Sequence, residues 1–315
     1  MSPYFSITKL LDIYQLSSSA YYRYKININS NNKDINEPSK KEKKKNLIKE
    51  EILTIRKEFP DYGPHKIFEE LKRKSITNNY GIVYQCYKEL NLYILPEKTR
   101  KKANFKRTHK NKTDKLEPFP NLIKGIRFNV PFKALATDGV LIKYKTSGLH
   151  YAFIIDLYSR FIICYKYSAN ENSELYNNLL NKLGKALVIK PVESIFHTDQ
   201  GSVFLSKSFN KHLESLGFVQ STSAKGTPTD NSLIENFHGI LKRQIKANGI
   251  QLNKSQLTKL IDSFVYYYNY KRKSEKEGNT PFEKIKIYFK KQYSHLNVDK
   301  AQNLDELLKI VKENT

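Results

Sequence analysis

From residue 131 onward the apolar pattern takes a form that few folds satisfy. Phe132–Tyr144, Leu149–Leu157 and Phe161–Tyr167 are β-branched and aromatic runs separated by short turns, which predicts a three-stranded meander. Strand and helix then alternate: a helix over Asn172–Leu187, a strand over Val192–His197, a helix over Leu205–Leu216 and a strand over Phe218–Ser223. Long helices near 231–247 and 254–270 complete the series. A meander followed by such alternation argues for a mixed sheet, here five-stranded, flanked by helices.

The chain upstream reads differently. Residues 1–30 predict a short helical segment, with Leu10, Leu11, Tyr14 and Leu16 on an irregular apolar face and Ser17–Ala20 as a cap. Residues 31–46, mostly Asn, Lys and Ser, have little to bury and read as a linker. Over 47–95, Ile48, Ile52 and Ile55 precede a break at Pro60-Asp-Tyr-Gly63, and Ile67, Leu71, Val83, Tyr87 and Leu90 resume the helical spacing. This predicts a small all-α, helix-turn-helix-like module of a shape common in DNA binding, or else a helical hairpin that packs on the rest. Residues 96–130 form a basic linker, in which Lys98–Lys115 holds nine Lys or Arg against one acid, Asp114. Lys101, Lys102 and Arg107 in that run are expected to track a phosphate backbone without reading sequence. The α/β core is expected over 131–290. In the tail, 291–315, Leu304, Leu307, Leu308 and Val311 recur at helical spacing after Asn303. That stripe is expected to pack within the chain, with a second subunit as the alternative.

Charge narrows the partners. The 315 residues carry a formal net charge of +24, spread over both halves, so a polyanion is expected and nucleic acid is the default. An anionic membrane surface is the rival, but no apolar run approaches the roughly 20 residues needed to span a bilayer. The amino terminus lacks the pattern of a secretory signal, so a cytoplasmic, nucleoid-associated location is expected. Cys86 and Cys164 are too few and too far apart for a zinc framework and read as reduced, buried thiols. No Walker loop or dinucleotide fingerprint signals ATP or NAD use.

Three carboxylates then stand out. Asp138 falls mid-strand in Ala134-Leu-Ala-Thr-Asp-Gly139. Asp199 follows a strand's carboxyl end in His197-Thr-Asp-Gln-Gly201. Glu235 lies on an amphipathic helix after Asp230-Asn231, which read as its cap. On that helix Asn231, Glu235, His238 and Lys242 share a polar stripe, while Leu233, Ile234, Phe237, Ile240 and Leu241 face the core. Converging acids repel unless a cation neutralises them, and hard oxygen donors select Mg²⁺ or Mn²⁺. Two such ions suit phosphodiester hydrolysis and transesterification. The competing reading is two surface acids and a helix-face ion pair. His197 reads as a hydrogen-bonded neighbour rather than a ligand, His238 as a neighbour that could face solvent, and Asp156 as a structural turn residue.

The motifs, taken in order, resemble the integrase catalytic core of bacterial insertion-sequence transposases, specifically the second-frame (OrfB-type) product of the two-frame, retroviral-integrase-like family. They are Ala136-Thr-Asp138, Ile155-Asp-Leu-Tyr-Ser-Arg160, His197-Thr-Asp-Gln-Gly-Ser202, Ser221-Thr-Ser-Ala-Lys-Gly226, Asp230-Asn-Ser-Leu-Ile-Glu235, Leu241-Lys242, Tyr268-Asn269, Arg272 and Thr280-Pro281. Upstream, Ser17–Tyr22 and Tyr62-Gly63 fit the same pattern. The resemblance implies an RNase H-like core in which Asp138, Asp199 and Glu235 hold two Mg²⁺ or Mn²⁺ ions. It also implies strand cleavage at element ends, followed by attack of a 3′-hydroxyl on target DNA. Lys242, Asn231 and Arg272 are expected to contact DNA. The expected partners are DNA, further copies of the chain, and an upstream-frame (OrfA-type) segment supplied by fusion or by a second protein. The sequence departs from the family where Leu135 replaces a tryptophan, a second tryptophan is missing near Tyr165, Ser274 replaces a histidine and Glu277 replaces an apolar residue. The rival readings are a nuclease on the same fold without strand transfer, and a decayed copy that only binds DNA.

Overall fold

The computed structural model describes residues 19, 39–92, 116–145, 147–187, 189–224, 231–247, 252–274 and 277–314. The helical segment expected over 1–30, Lys101, Lys102, Arg107 and Asp230 lie outside them. Backbone contacts divide the chain into two units: Met1–Glu58 with Ile67–Tyr93, and Phe59–Lys66 with Ile94–Thr315.

In the first unit, α1 (Lys40–Glu58) starts at Ser39, whose Oγ accepts the Glu42 N–H at 3.2 Å. The linker expected over 31–46 is therefore helical from Lys40. Lys and Glu propagate a helix well, and only the scarcity of apolar residues hid it. Ile48, Ile52 and Ile55 are buried on one face of α1. They share the unit with Ile67 and Leu71 of α2 (Pro64–Arg73) and with Val83, Cys86 and Tyr87 of α3 (Tyr80–Glu89). Asn79 caps α3, and Glu89 at its end binds Lys45 at 2.5 Å and Lys49 at 2.8 Å. The break and the first residues of α2, together Phe59–Lys66, cluster with the second unit. There Asp61 accepts hydrogen bonds from Arg272 Nε (2.6 Å) and from the Tyr267 hydroxyl, and Tyr62 Oη accepts the Lys273 N–H at 3.1 Å.

The second unit is built on a five-stranded sheet in the order β3-β2-β1-β4-β5. β1 (Ala134–Tyr144), β2 (Ser147–Asp156) and β3 (Ile162–Ser168) form the antiparallel meander. β4 (Ser194–Thr198) and β5 (Phe218–Thr222) add to β1 in parallel. The crossovers run through α4 (Ser173–Ala186) and α5 (Lys207–Ser215), which Asn172 and Ser206 cap through their side chains. The mixed, helix-flanked sheet is thus the expected one, with strand ends shifted by a residue or two. Phe132, expected in β1, has φ 63°, and Glu193, expected in β4, has φ 53°, so each strand starts just beyond.

Alternation along the strands sorts two apolar layers. Leu135, Ala152, Ile154, Cys164 and Phe196 face α4, α5 and the carboxyl-terminal helices. Ala136, Val140, Ile142, Tyr151, Phe153 and Ile155 face α6 (Ser232–Ala247) and α7 (Lys254–Tyr270). Both cysteines are buried free thiols, and burial pushes the Cys164 thiol up to about 12. Edge strand β3 is covered by Asn269 of α7, whose amide exchanges two 2.9 Å hydrogen bonds with the Ile162 backbone. After α8 (Pro281–Gln292), α9 (Leu304–Glu313) buries Leu304, Leu307, Leu308 and Val311 against Phe282, Ile285 and Phe289. The tail thus packs within the chain, as expected.

Asp156 ties the meander together. Fully buried, it accepts the Phe132 N–H at 2.9 Å, the Ser159 N–H at 2.9 Å and the Ser159 hydroxyl at 2.5 Å. Burial raises its pKa, opposed by those hydrogen bonds. Asp156→Ala leaves three buried donors without an acceptor and is expected to lower stability by about 3 kcal/mol or more in urea unfolding. A loss below about 1 kcal/mol would contradict this role.

Candidate active site

The parallel pairing of β1 with β4 sets the geometry. Ala136 pairs with His197, and two residues further along each chain come Asp138 and Asp199. Adjacent strands lie about 4.8 Å apart, so the register delivers both acids to neighbouring positions at the carboxyl end of β4. Asp199 is fixed by a turn in which its Oδ1 accepts the Gly201 N–H at 2.8 Å. His197, just upstream, is buried with Nδ1 2.9 Å from Ser221 Oγ, the structural role expected of it.

Helix α6 brings the third acid. Ile234, Phe237, Ile240 and Leu241 pack on the sheet, which leaves Glu235 exposed in the first turn. Asp138, Gly139, Glu235, His238, Gly239 and Lys242 line one open depression of about 380 Å³. Asn231, 8 % exposed, donates from Nδ2 to the Thr137 carbonyl at 3.5 Å, linking the start of α6 to the residue before Asp138. The polar stripe is less exposed than the helical wheel implies, because His238 is buried rather than solvent-facing. Burial, with the charge of Lys242, pushes its imidazole down to about 3. It is therefore neutral near pH 7, and its 3.6 Å approach to Asp138 is not an ion pair.

Asp138 records the crowding. Burial, then the charge of Asp199, then those of Glu235 and Glu171 push its carboxyl up to about 7, against the pull of the Gly139 N–H at 2.9 Å. Glu171 and Tyr176 escape sequence reading. Glu171 Oε1 accepts from the Tyr176 hydroxyl at 2.9 Å, and a Cβ on Gly139 would lie 2.6 Å from that hydroxyl. The one signal in the sequence is Gly139 itself, since a mid-strand glycine marks a close approach. Among the described residues no three His, Cys, Asp or Glu side chains close around a single point. That does not exclude a hard cation, because Mg²⁺ commonly takes one or two protein carboxylates and completes its shell with water or substrate oxygens. The donor set, oxygen-only and electrostatically strained, fits such an ion. Of the expected DNA contacts, Lys242 is exposed in the depression, whereas Arg272 is committed to Asp61.

Two family models described as integrase core domain match residues 129–228 and 216–281. The transposase of insertion sequence element IS904 from Lactococcus lactis subsp. lactis is 29% identical over 239 residues, covering 75% of this chain and 91% of that protein. The second unit carries an integrase-type core related to insertion-sequence transposases. The transposase of element IS629 from Shigella sonnei is 26% identical over 161 residues, and the match spans 50% of this chain and 53% of that relative. This core also aligns with the HTLV-2 integrase catalytic core domain in complex with magnesium, at TM-score 0.41 and 22% identity, covering 50% of this chain and 97% of that one.

Two outcomes follow for the protein kept in chelator. An acid raised in the folded state contributes stability below its unfolded pKa and loses it as pH rises through the folded value. With Asp138 raised from 3.8 to about 7, Asp138→Asn should match the parent near pH 3. It should exceed the parent above pH 8, by on the order of 3 kcal/mol in urea unfolding. A difference independent of pH would contradict the crowding. Gly139→Ala should cost about 1–3 kcal/mol, because the buried Tyr176 ring has little room to retreat; an unchanged urea midpoint would contradict the close approach.

Proposed function

We propose that the chain is the catalytic subunit of an insertion-sequence transposase of OrfB type, which cuts DNA at element ends and joins the freed 3′-hydroxyl to target DNA. The observation that supports this reading is the β1–β4 register, which sets Asp138 and Asp199 at neighbouring positions, with Asp138 sharing an open depression with Glu235 and an exposed lysine in a region similar to the integrase core domain. Asp138 and Asp199 would share one divalent ion, and Glu235 would complete the site of a second. When bound, Mg²⁺ or Mn²⁺ supplies positive charge at the attacking and departing oxygens of the phosphodiester. The protein's own groups position the substrate. Lys242, two turns beyond Glu235 in the same depression, would hold a phosphate next to the carboxylates. Asn231, through Thr137, fixes the start of α6 against β1 and so sets where Glu235 stands relative to Asp138.

In cleavage, water attacks phosphorus and the 3′ oxygen departs. In joining, that 3′-hydroxyl attacks a target phosphodiester and displaces its 3′ oxygen, so phosphodiester count is conserved and no covalent enzyme intermediate is needed. The excess of basic residues and the +24 net charge support DNA as partner. Pairing two element ends calls for at least two copies of the chain. No helix among the described residues is long and apolar enough to cross a membrane.

Assays on DNA carrying the element ends test this. With Mg²⁺ the chain, with its upstream-frame segment where needed, should yield nicked ends and joined products. Asp199→Asn and Glu235→Gln should each lower both by about 10³-fold or more, with duplex binding changed less than about 3-fold. Metal-dependent nicking that survives Asp199→Asn would exclude the site. Cleaved ends with no joined product would reassign the chain as a hydrolytic nuclease.

A further inference from the structure

Helix α6 separates two depressions of opposite character. On one side Glu235, His238 and Lys242 border the acid pocket. On the other, Asn236, Ile240 and Arg243, spaced to share the next stripe of the same helix, line an open cleft of about 560 Å³ with Arg127 and Arg160. Lys66, Arg272, Ser274 and Glu277 complete its wall. Arg272 is paired with Asp61, but among the described residues no carboxylate pairs with Arg127, Arg160 or Arg243, all three of which are exposed. The lone acid of the cleft, Glu277, is taken by Lys284 at 3.0 Å. Arg160 is the telling member. It sits at φ 67°, in the left-handed region that Gly or Asn occupies more easily, at the end of the turn anchored by buried Asp156. The turn closed by buried Asp156 thus carries an exposed guanidinium, with no paired carboxylate among the described residues, into the lining of the cleft.

We infer that the cleft lined by Arg127, Arg160 and Arg243 binds phosphates of the DNA strand that runs across α6 to the carboxylates. This rests on the proposed function and deepens it by naming a second, predominantly cationic stretch of the DNA path. Three like charges in one recess repel each other until a polyanion enters. Guanidinium forks meet phosphate oxygens two at a time, and the contacts carry no base information. Asn236, exposed in the same cleft, adds an amide that can donate to the same backbone.

Binding in chelator isolates this claim from the chemistry. The full chain is titrated with a random-sequence DNA duplex of about 30 base pairs at several salt concentrations. The triple variant Arg127→Gln, Arg160→Gln, Arg243→Gln should reduce the slope of log affinity against log salt by about 2 to 3, and weaken binding roughly 100-fold at 0.1 M salt. A control with equal charge loss outside the cleft, Lys300→Gln, Lys309→Gln, Lys312→Gln, should change the slope by less than about 1. Equal losses in the two triples, or none in the first, would overturn the inference, whatever the nicking assay gives. Should the triple variant fold poorly, Arg243→Gln alone on the exposed face of α6 must lower the slope by about 1, with Arg243→Lys restoring it. An unchanged slope in that single variant overturns the inference equally.

Discussion

The arrangement depends on the parallel pairing of β1 with β4. That pairing places Asp138 and Asp199 two residues past a fixed register point, and it requires the α4 crossover that packs Tyr176 against the back of β1. Everything else at the site adjusts to this pair. Helix α6 has to approach on the face that carries Ala136 and Val140, and burying its apolar residues leaves Glu235 exposed in the depression that Asp138 also lines. Burial first, and the charges of Asp199, Glu235 and Glu171 after it, drive the Asp138 carboxyl up to about 7 although it accepts a backbone hydrogen bond.

Several motif residues serve the scaffold rather than the site. Asp156 and Ser159 close the turn that aligns the start of β1 with the end of β2, and Asn269 occupies the backbone groups of edge strand β3. Arg272 spends its guanidinium on Asp61, an acid 211 positions away in sequence whose side chain is 3% exposed. Such residues can mark a fold as strongly as catalytic ones do, because an unsatisfied buried polar group is costly wherever it lies.

How much was legible in the sequence follows from range. Period-two and helical spacings are local, so the meander, the βα alternation and α7 could be read directly, as could the inward face of α6 at Ile234, Phe237 and Leu241. Strand starts were misplaced where single residues, Phe132 and Glu193, adopt positive φ, which side-chain hydropathy does not encode. The helical stretch Lys40–Asn46 was hidden because its stability comes from propensity and a Ser39 cap rather than an apolar stripe. The approach of Glu171 and Tyr176 to Gly139, and the burial of His238, arise only when distant segments meet. Asp138, Asp199 and Glu235 could be singled out as candidates because each stands at a position that secondary structure alone makes conspicuous.

The most direct test of the account is anomalous diffraction from crystals of the protein grown with DNA and Mn²⁺. The account predicts one anomalous peak coordinated by Asp138 and Asp199 and a second touching Glu235, with phosphate oxygens completing both shells. Manganese bound elsewhere on the chain, with these three side chains left uncoordinated beside ordered DNA, would contradict it.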